Sequence, residues 1–248
     1  MDDEELLRYS RHLMLPELDV AGQERLLAAR VLIVGLGGLG SAAAIYLAAS
    51  GIGELWLADG DVVELSNLQR QIIHDSGTLG WSKPRSAAAH IARLNPGVRV
   101  RLLEQRQDEV SLRPLLDGVS VVLDCCDNFA SRHAINRACI EARVPLISAA
   151  ALGWEGQLAV FDSRETSSPC YGCLYPDPQA REERSCAVNG IAAPVVGTMG
   201  LLQALQSLKM LAGVGESGVG ELLVFDALRL DWQRLRIARN PHCQVCAQ

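Results

Sequence analysis

Four glycines, Gly35, Gly37, Gly38 and Gly40, follow directly on the apolar run VLIV at 31–34. Glycines between a strand and a helix permit a tight turn. They also let a phosphate approach backbone N–H groups at the helix N-terminus. Asp59 lies 59 − 35 = 24 residues further on, at the end of the next apolar run, where a carboxylate can bond a ribose hydroxyl. The combination points to a nucleotide without saying which one. The plainer alternative is a glycine turn needed only for helix–strand packing. If a nucleotide binds, a dinucleotide oxidoreductase and a nucleotidyltransferase both fit this far.

The residues after Asp59 separate the two. The stretch DGDVVELSNLQRQ at 59–71 supplies Asn67 and Arg70, and Lys83 follows. A redox dinucleotide has no need of two cations and an amide there. A triphosphate does, because its charge must be neutralised as a nucleophile approaches phosphorus. Arginine clamps phosphate oxygens in a fork and lysine adds a point charge. Alone, the stretch could equally be a solvated polar loop.

Sulfur forms a second group. Of the eight cysteines, Cys170 and Cys173 form one Cys-x-x-Cys pair and Cys243 and Cys246 another. Four thiolates in two chelating pairs suit a closed tetrahedral Zn²⁺ site with a structural role. The long interval between the pairs suggests a clip tying the end of the chain to its middle; the rival is a redox dithiol. Cys125, Cys126 and Cys139 sit in or near apolar runs and are expected in the core. The five histidines share no ligand-like spacing. Trp154 and Trp232 are expected to pack.

Composition narrows the class. The chain has 248 residues, 49% of them hydrophobic, enough for a sizeable core. With a net charge of −6 and only 4% aromatics, it offers neither a basic field nor a stacking platform for nucleic acid. The N-terminus reads as no signal peptide, and no apolar stretch reaches eighteen residues uninterrupted, so no membrane span is expected. The expected location is the cytoplasm.

These residues need elements to hold them. Helices are expected over 3–15, about 20–29, 41–50, 84–94, 130–142 and about 194–212. Apolar β-branched runs predict strands at 31–34, 54–59, 98–105, 119–127 and 144–152. Two further strands, 157–162 and 221–228, look antiparallel. The fold class is therefore α/β: a Rossmann-like mixed sheet, parallel in its first half and continued by antiparallel strands, with helices on both faces. It is expected as one domain over 1–248, with N-terminal helices (1–30), a nucleotide-binding half (31–152) and a second half (153–248).

The motifs SRH (10–12), GLGGLG (35–40), SNLQRQ (66–71), DCCDN (124–128), CYGC (170–173) and NPHCQVC (240–246) together resemble the MoeB/ThiF family, related to ubiquitin-activating enzymes. The resemblance runs the length of the chain. It implies an adenylyltransferase that uses ATP and Mg²⁺ to convert the C-terminal Gly-Gly carboxylate of a small ubiquitin-like sulfur-carrier protein into an acyl-adenylate, releasing pyrophosphate. It places Gly35, Gly37, Gly38 and Gly40 against the nucleotide, Asp59 on the ribose, and Asn67, Arg70 and Lys83 along the phosphates, with Leu68, Gln69 and Gln71 also binding the nucleotide. Asp127 would hold Mg²⁺, with Asn128 beside it. Cys170, Cys173, Cys243 and Cys246 would hold Zn²⁺.

The resemblance also implies a homodimer in which Arg11 enters the partner's site. Cys186 would match a cysteine that carries sulfur or carrier in some members and is dispensable in others; a loop cysteine without a role is the alternative. For Trp154, near the end of the strand at 144–152, the alternative to packing is a place beside the channel for the carrier tail. A MoaD-like or ThiS-like carrier, in molybdopterin or thiamine biosynthesis, fits equally. Sulfur is expected from a separate sulfurtransferase or cysteine desulfurase. Two other classes compete: a non-catalytic adaptor holding a ubiquitin-like partner, and the NAD-dependent oxidoreductase.

Overall fold

The structure is a computed structural model and describes residues 1–176 and 190–247. The chain opens with helices α1 (Asp3–Arg8), α2 (Ser10–Leu13) and α3 (Asp19–Ala28). The single helix expected over 3–15 is thus broken at Tyr9. Its backbone leaves the helical region at φ −97, ψ 11, and its buried hydroxyl accepts from Asn95 Nδ2 at 2.9 Å.

One sheet of eight strands forms the centre: β1 (Arg30–Val34), β2 (Glu54–Ala58), β3 (Arg99–Leu103), β4 (Val121–Asp124), β5 (Leu146–Leu152), β6 (Glu155–Phe161), β7 (Glu221–Asp226) and β8 (Asp231–Arg236). Their spatial order is β3-β2-β1-β4-β5-β6-β7-β8. Pairs from β3 to β5 are parallel, and pairs from β5 to β8 are antiparallel. The mixed sheet expected from the alternation of patterns is present. β8 is an addition: its sequence DWQRLR lacks an apolar face, and every residue of it is exposed. Only pairing with β7 makes it a strand.

Successive strand residues enter different cores. Val31, Ile33, Leu55, Leu57, Val121 and Leu123 lie in one, beneath α4 (Gly38–Ala49), α5 (Lys83–Leu94) and α9 (Ala193–Ala212). Leu32, Val34, Trp56, Val122, Leu146 and Phe161 lie in the other, under α6 (Glu109–Leu112), α7 (Phe129–Ala142) and α8 (Tyr171–Leu174). Continuous apolar strands covered on both faces are what a parallel sheet requires.

Helix α9 is long and apolar enough to cross a membrane by length and composition, contrary to the expectation from interrupted apolar runs. Its setting here is a protein core. Val195, Met199, Ala204 and Ala212 are buried against the sheet and α4. Gln203, wholly buried, donates from Nε2 to the carbonyls of Asp124 (2.8 Å) and Ile147 (3.0 Å). Those two bonds satisfy an amide that an apolar environment would otherwise penalise.

Candidate nucleotide site

β1 has β2 on one side and β4 on the other, so the order reverses between β1 and β4. Ligands of open α/β sheets bind at such a switch point, outside the carboxyl ends of the strands. A cavity of about 460 Å³ opens there, within the range of small-molecule sites.

The glycine loop forms one wall. Gly35 follows β1, and Gly37 N-caps α4. A Cβ on Gly40 would lie 1.9 Å from the Gly35 carbonyl oxygen, so the first turn of α4 packs on the loop only without a side chain. Asp59, just past β2, accepts from the backbone N–H of Leu36 at 2.7 Å through one oxygen and from that of Asp61 at 2.9 Å through the other. The carboxylate is thereby fixed against the loop.

Cations stand beside it. Lys83, buried at the start of α5, reaches Asp61 at 3.0 Å and Asp59 at 3.8 Å. Arg106 lies 3.7 Å from the other Asp61 oxygen. Arg70 turns back on its own loop, donating to the Ser66 carbonyl at 3.2 Å and to Asn67 Oδ1 at 3.5 Å. Gln71 is buried, and its Oε1 has no hydrogen-bond partner among the described residues.

The opposite wall follows β4. Asp127 is exposed, within 3.4 Å of Asn128 Nδ2. Asn128 caps α7 by accepting from Ser131 N–H at 2.8 Å. Behind them Arg132 is buried and donates to the carbonyls of Cys126 and Ala149, 3.9 Å from the buried carboxylate of Asp124. Burial opposes its charge, yet Asp124, with Tyr171 and Cys126 nearby, drives its pKa above the ordinary value. Ser148 donates to Asp124 at 2.6 Å.

Most of the expected residues meet here. Gly35, Gly37, Gly38, Asp59, Arg70, Gln71, Lys83, Asp127 and Asn128 line one cavity. Asn67 stands behind Arg70 instead, and Leu68 and Gln69 are outside the lining. Arg11 is exposed, with Met14 Sδ at 3.7 Å, and is no part of this wall. Cys186 lies outside the described residues. Trp154 is 54% exposed at the turn after β5, not packed as expected; Trp232 stacks on Phe225 at 4.1 Å.

The far end of the cavity was not anticipated. Phe129, Arg132, Gln157, Tyr171 and Tyr175 line it, and Tyr175 Oη donates to Gln157 Oε1 at 2.7 Å. One signal was available: Arg132 shares a helical face with buried Ile135 and Cys139, at i+3 and i+7, an unusual place for a cation.

The cysteines divide as their sequence setting suggests. Burial raises the thiols of Cys125, Cys126 and Cys139 far above the ordinary range, which suits inert, protonated groups. Cys125 and Cys126 additionally border the cavity. Cys170, Cys173, Cys243 and Cys246 converge, all four sulfurs lying within 4.8 Å of one another. Adjacent sulfurs are 4.0, 3.6 and 3.5 Å apart. Four sulfurs at a zinc bond length sit about 3.8 Å apart in a tetrahedron, so the cluster fits that ion. Burial opposes ionisation of Cys243, but the N–H groups of Cys246 and Val245 and the neighbouring thiols bring it down to about 7.

A glycine loop and a fixed carboxylate at the switch point of a doubly covered sheet define a nucleotide-binding α/β protein. The model of the ThiF family matches residues 9–245, and the chain belongs to that family. It is 44% identical over 248 residues to the molybdopterin-synthase adenylyltransferase of Salmonella typhimurium, covering 100% of this chain and 99% of that one. It is also 44% identical over 246 residues to the sulfur carrier protein ThiS adenylyltransferase of Escherichia coli, covering 99% and 97%. The fold matches that of E. coli MccB solved with ATP, at TM-score 0.84 and 23% identity over 96% of this chain and 74% of that one. The chain is an adenylyltransferase of this family.

Proposed function

We propose that the chain binds ATP in this cavity and adenylates the C-terminal glycine carboxylate of a small ubiquitin-like sulfur-carrier protein. The observation that carries the reading is the convergence of the glycine loop, Asp59, Lys83, Arg70 and Asp127 on one cavity in a chain of net charge −6. Arg70, Lys83 and Arg106 line the cavity beside Asp59, Asp61 and Asp127, so cations are at hand where a triphosphate would lie.

Asp59, held by two backbone N–H groups, presents its carboxylate to the ribose. Lys83 and Arg70 face the phosphates, and the glycine loop supplies N–H groups at the start of α4. Asp127 holds Mg²⁺, which usually takes one or two carboxylates together with phosphate oxygens; the ion supplies charge neutralisation at the phosphates. A carrier carboxylate is already ionised at neutral pH, so no general base is needed. Its oxygen attacks the α-phosphorus, the bond from that phosphorus to the bridging oxygen breaks, and pyrophosphate leaves with the electron pair. Arg11, exposed and outside the lining of its own cavity, acts in the partner's site of a homodimer. The far end, past Arg132 and Tyr175, takes the carrier's Gly-Gly tail, and the sulfur comes from a separate protein. The relatives' names make MoaD-like and ThiS-like carriers the two to test.

ATP–pyrophosphate exchange with each carrier, followed by mass spectrometry of its C-terminus, tests this. Exchange dependent on a carrier ending in Gly-Gly is expected; turnover of NAD and no exchange with either carrier would overturn it.

The four cysteines hold a structural Zn²⁺ that joins α8 to the C-terminal segment. About one zinc per chain is expected by metal analysis, because four protein ligands close the site. Cys243→Ser should lose the metal and melt at lower temperature. A metal-free, fully stable wild type would remove the zinc reading.

A further inference from the structure

We propose that His74 is a positioning residue for nucleotide binding: its imidazole fixes the peptide between Leu36 and Gly37 so that the Gly37 N–H faces the cavity. This rests on the nucleotide reading above.

His74 is buried between the glycine loop and α5. Its Nε2 lies 3.1 Å from the Leu36 carbonyl oxygen, and its Nδ1 lies 2.9 Å from Ser86 Oγ. A carbonyl only accepts, so Nε2 carries the proton. Burial is the largest influence on His74 and lowers its pKa. The neutral ring then has a bare Nδ1, an acceptor facing the Ser86 hydroxyl, whose single proton also faces Thr78 Oγ1. Ser86 Oγ lies 2.9 Å from Thr78 Oγ1, so the histidine is oriented from α5, whose first residue is Lys83.

The consequence follows from peptide geometry. In a trans peptide the C=O and the next N–H point in opposite directions. A Leu36 carbonyl drawn inward to His74 turns the Gly37 N–H outward. Gly37 lines the cavity, and no described residue accepts from its N–H. A Cβ added there would meet no protein atom closer than Gln71 Nε2 at 3.8 Å, so the space this glycine keeps clear belongs to the cavity. Ser41 Oγ also reaches the Leu36 carbonyl, but only at 3.5 Å. Asp59 holds the N–H of the same Leu36. His74 and Asp59 thus clamp one loop residue from its two sides.

Two substitutions separate positioning from packing. His74→Gln retains a donor at the place of Nε2; His74→Asn retains only a group near Nδ1. Binding of Mg·ATP to the full chain, measured by calorimetry, should weaken about tenfold in His74→Asn, the scale of one lost hydrogen bond with its acceptor left buried. It should stay within about threefold of wild type in His74→Gln. Melting temperatures show whether the two lose packing equally. Equal affinities in the two variants, strong or weak, overturn the inference alone. A wild type that binds no Mg·ATP overturns the nucleotide reading, and the inference falls with it. Nitrogen NMR of labelled wild type reads the ring directly and needs no variant: protonated Nε2 with bare Nδ1 is expected, and the opposite tautomer overturns the proposal.

Discussion

Asp127→Ala lowers carrier-dependent ATP–pyrophosphate exchange by about 10²–10³-fold, the loss seen when one charge-stabilising group is taken from a transition state. The fold has little stake in this side chain. Asp127 is exposed, no described cation lies within ion-pair distance, and its recorded contact is a 3.4 Å approach from Asn128. Surface substitutions of this kind usually change stability by no more than about 0.5 kcal/mol, so the melting temperature should hardly move. Activity and stability therefore separate in this variant. Arg70→Ala should behave alike, since its bonds run only within its own loop. Exchange within a few-fold of wild type in Asp127→Ala would remove that carboxylate from the mechanism.

Arg132→Met produces the opposite profile, with stability as the main casualty. Asp124 is 1% exposed and Arg132 8%. Removing the guanidinium leaves Asp124 with the Ser148 hydroxyl and the Cys126 N–H but no cation, and strips the carbonyls of Cys126 and Ala149 of their donor. Breaking a buried ion pair from one side costs about 3–5 kcal/mol. In a chain of this size that corresponds to a fall in melting temperature on the order of 10 °C. Arg132→Lys keeps the charge but has one nitrogen where Nη2 serves the two carbonyls and Nη1 faces Asp124, and should fall between. A melting temperature within a degree or two of wild type in Arg132→Met would show that the pair contributes little.

Local spacing carried much of this molecule. The glycines at 35–40 directly after VLIV, Asp59 closing the next apolar run, and the two Cys-x-x-Cys pairs each lie within a few residues. The strand pattern was legible for the same reason: burial on both faces leaves a continuous apolar signature in β1, β2, β4 and β5. Those signals, with the family motifs, were sufficient for the α/β class, the nucleotide and the adenylating chemistry.

What escaped depended on contacts between segments distant in sequence. β8 exists because β7 pairs with it, although its own residues are exposed and mostly polar. α1 and α2 are separate because Tyr9 turns inward to Asn95, 86 residues away. His74 looked idle in sequence because its partners, Leu36 and Ser86, stand 38 and 12 residues from it. Arg132 is charged yet buried because the ends of β4 and β5 bring Asp124 and the Ala149 carbonyl to it. The sequence by itself determined which groups were available and which periodic elements would form, since both are local properties of the chain. Only the tertiary structure decided which buried polar groups face one another, because each such group must find its partner wherever the fold delivers one.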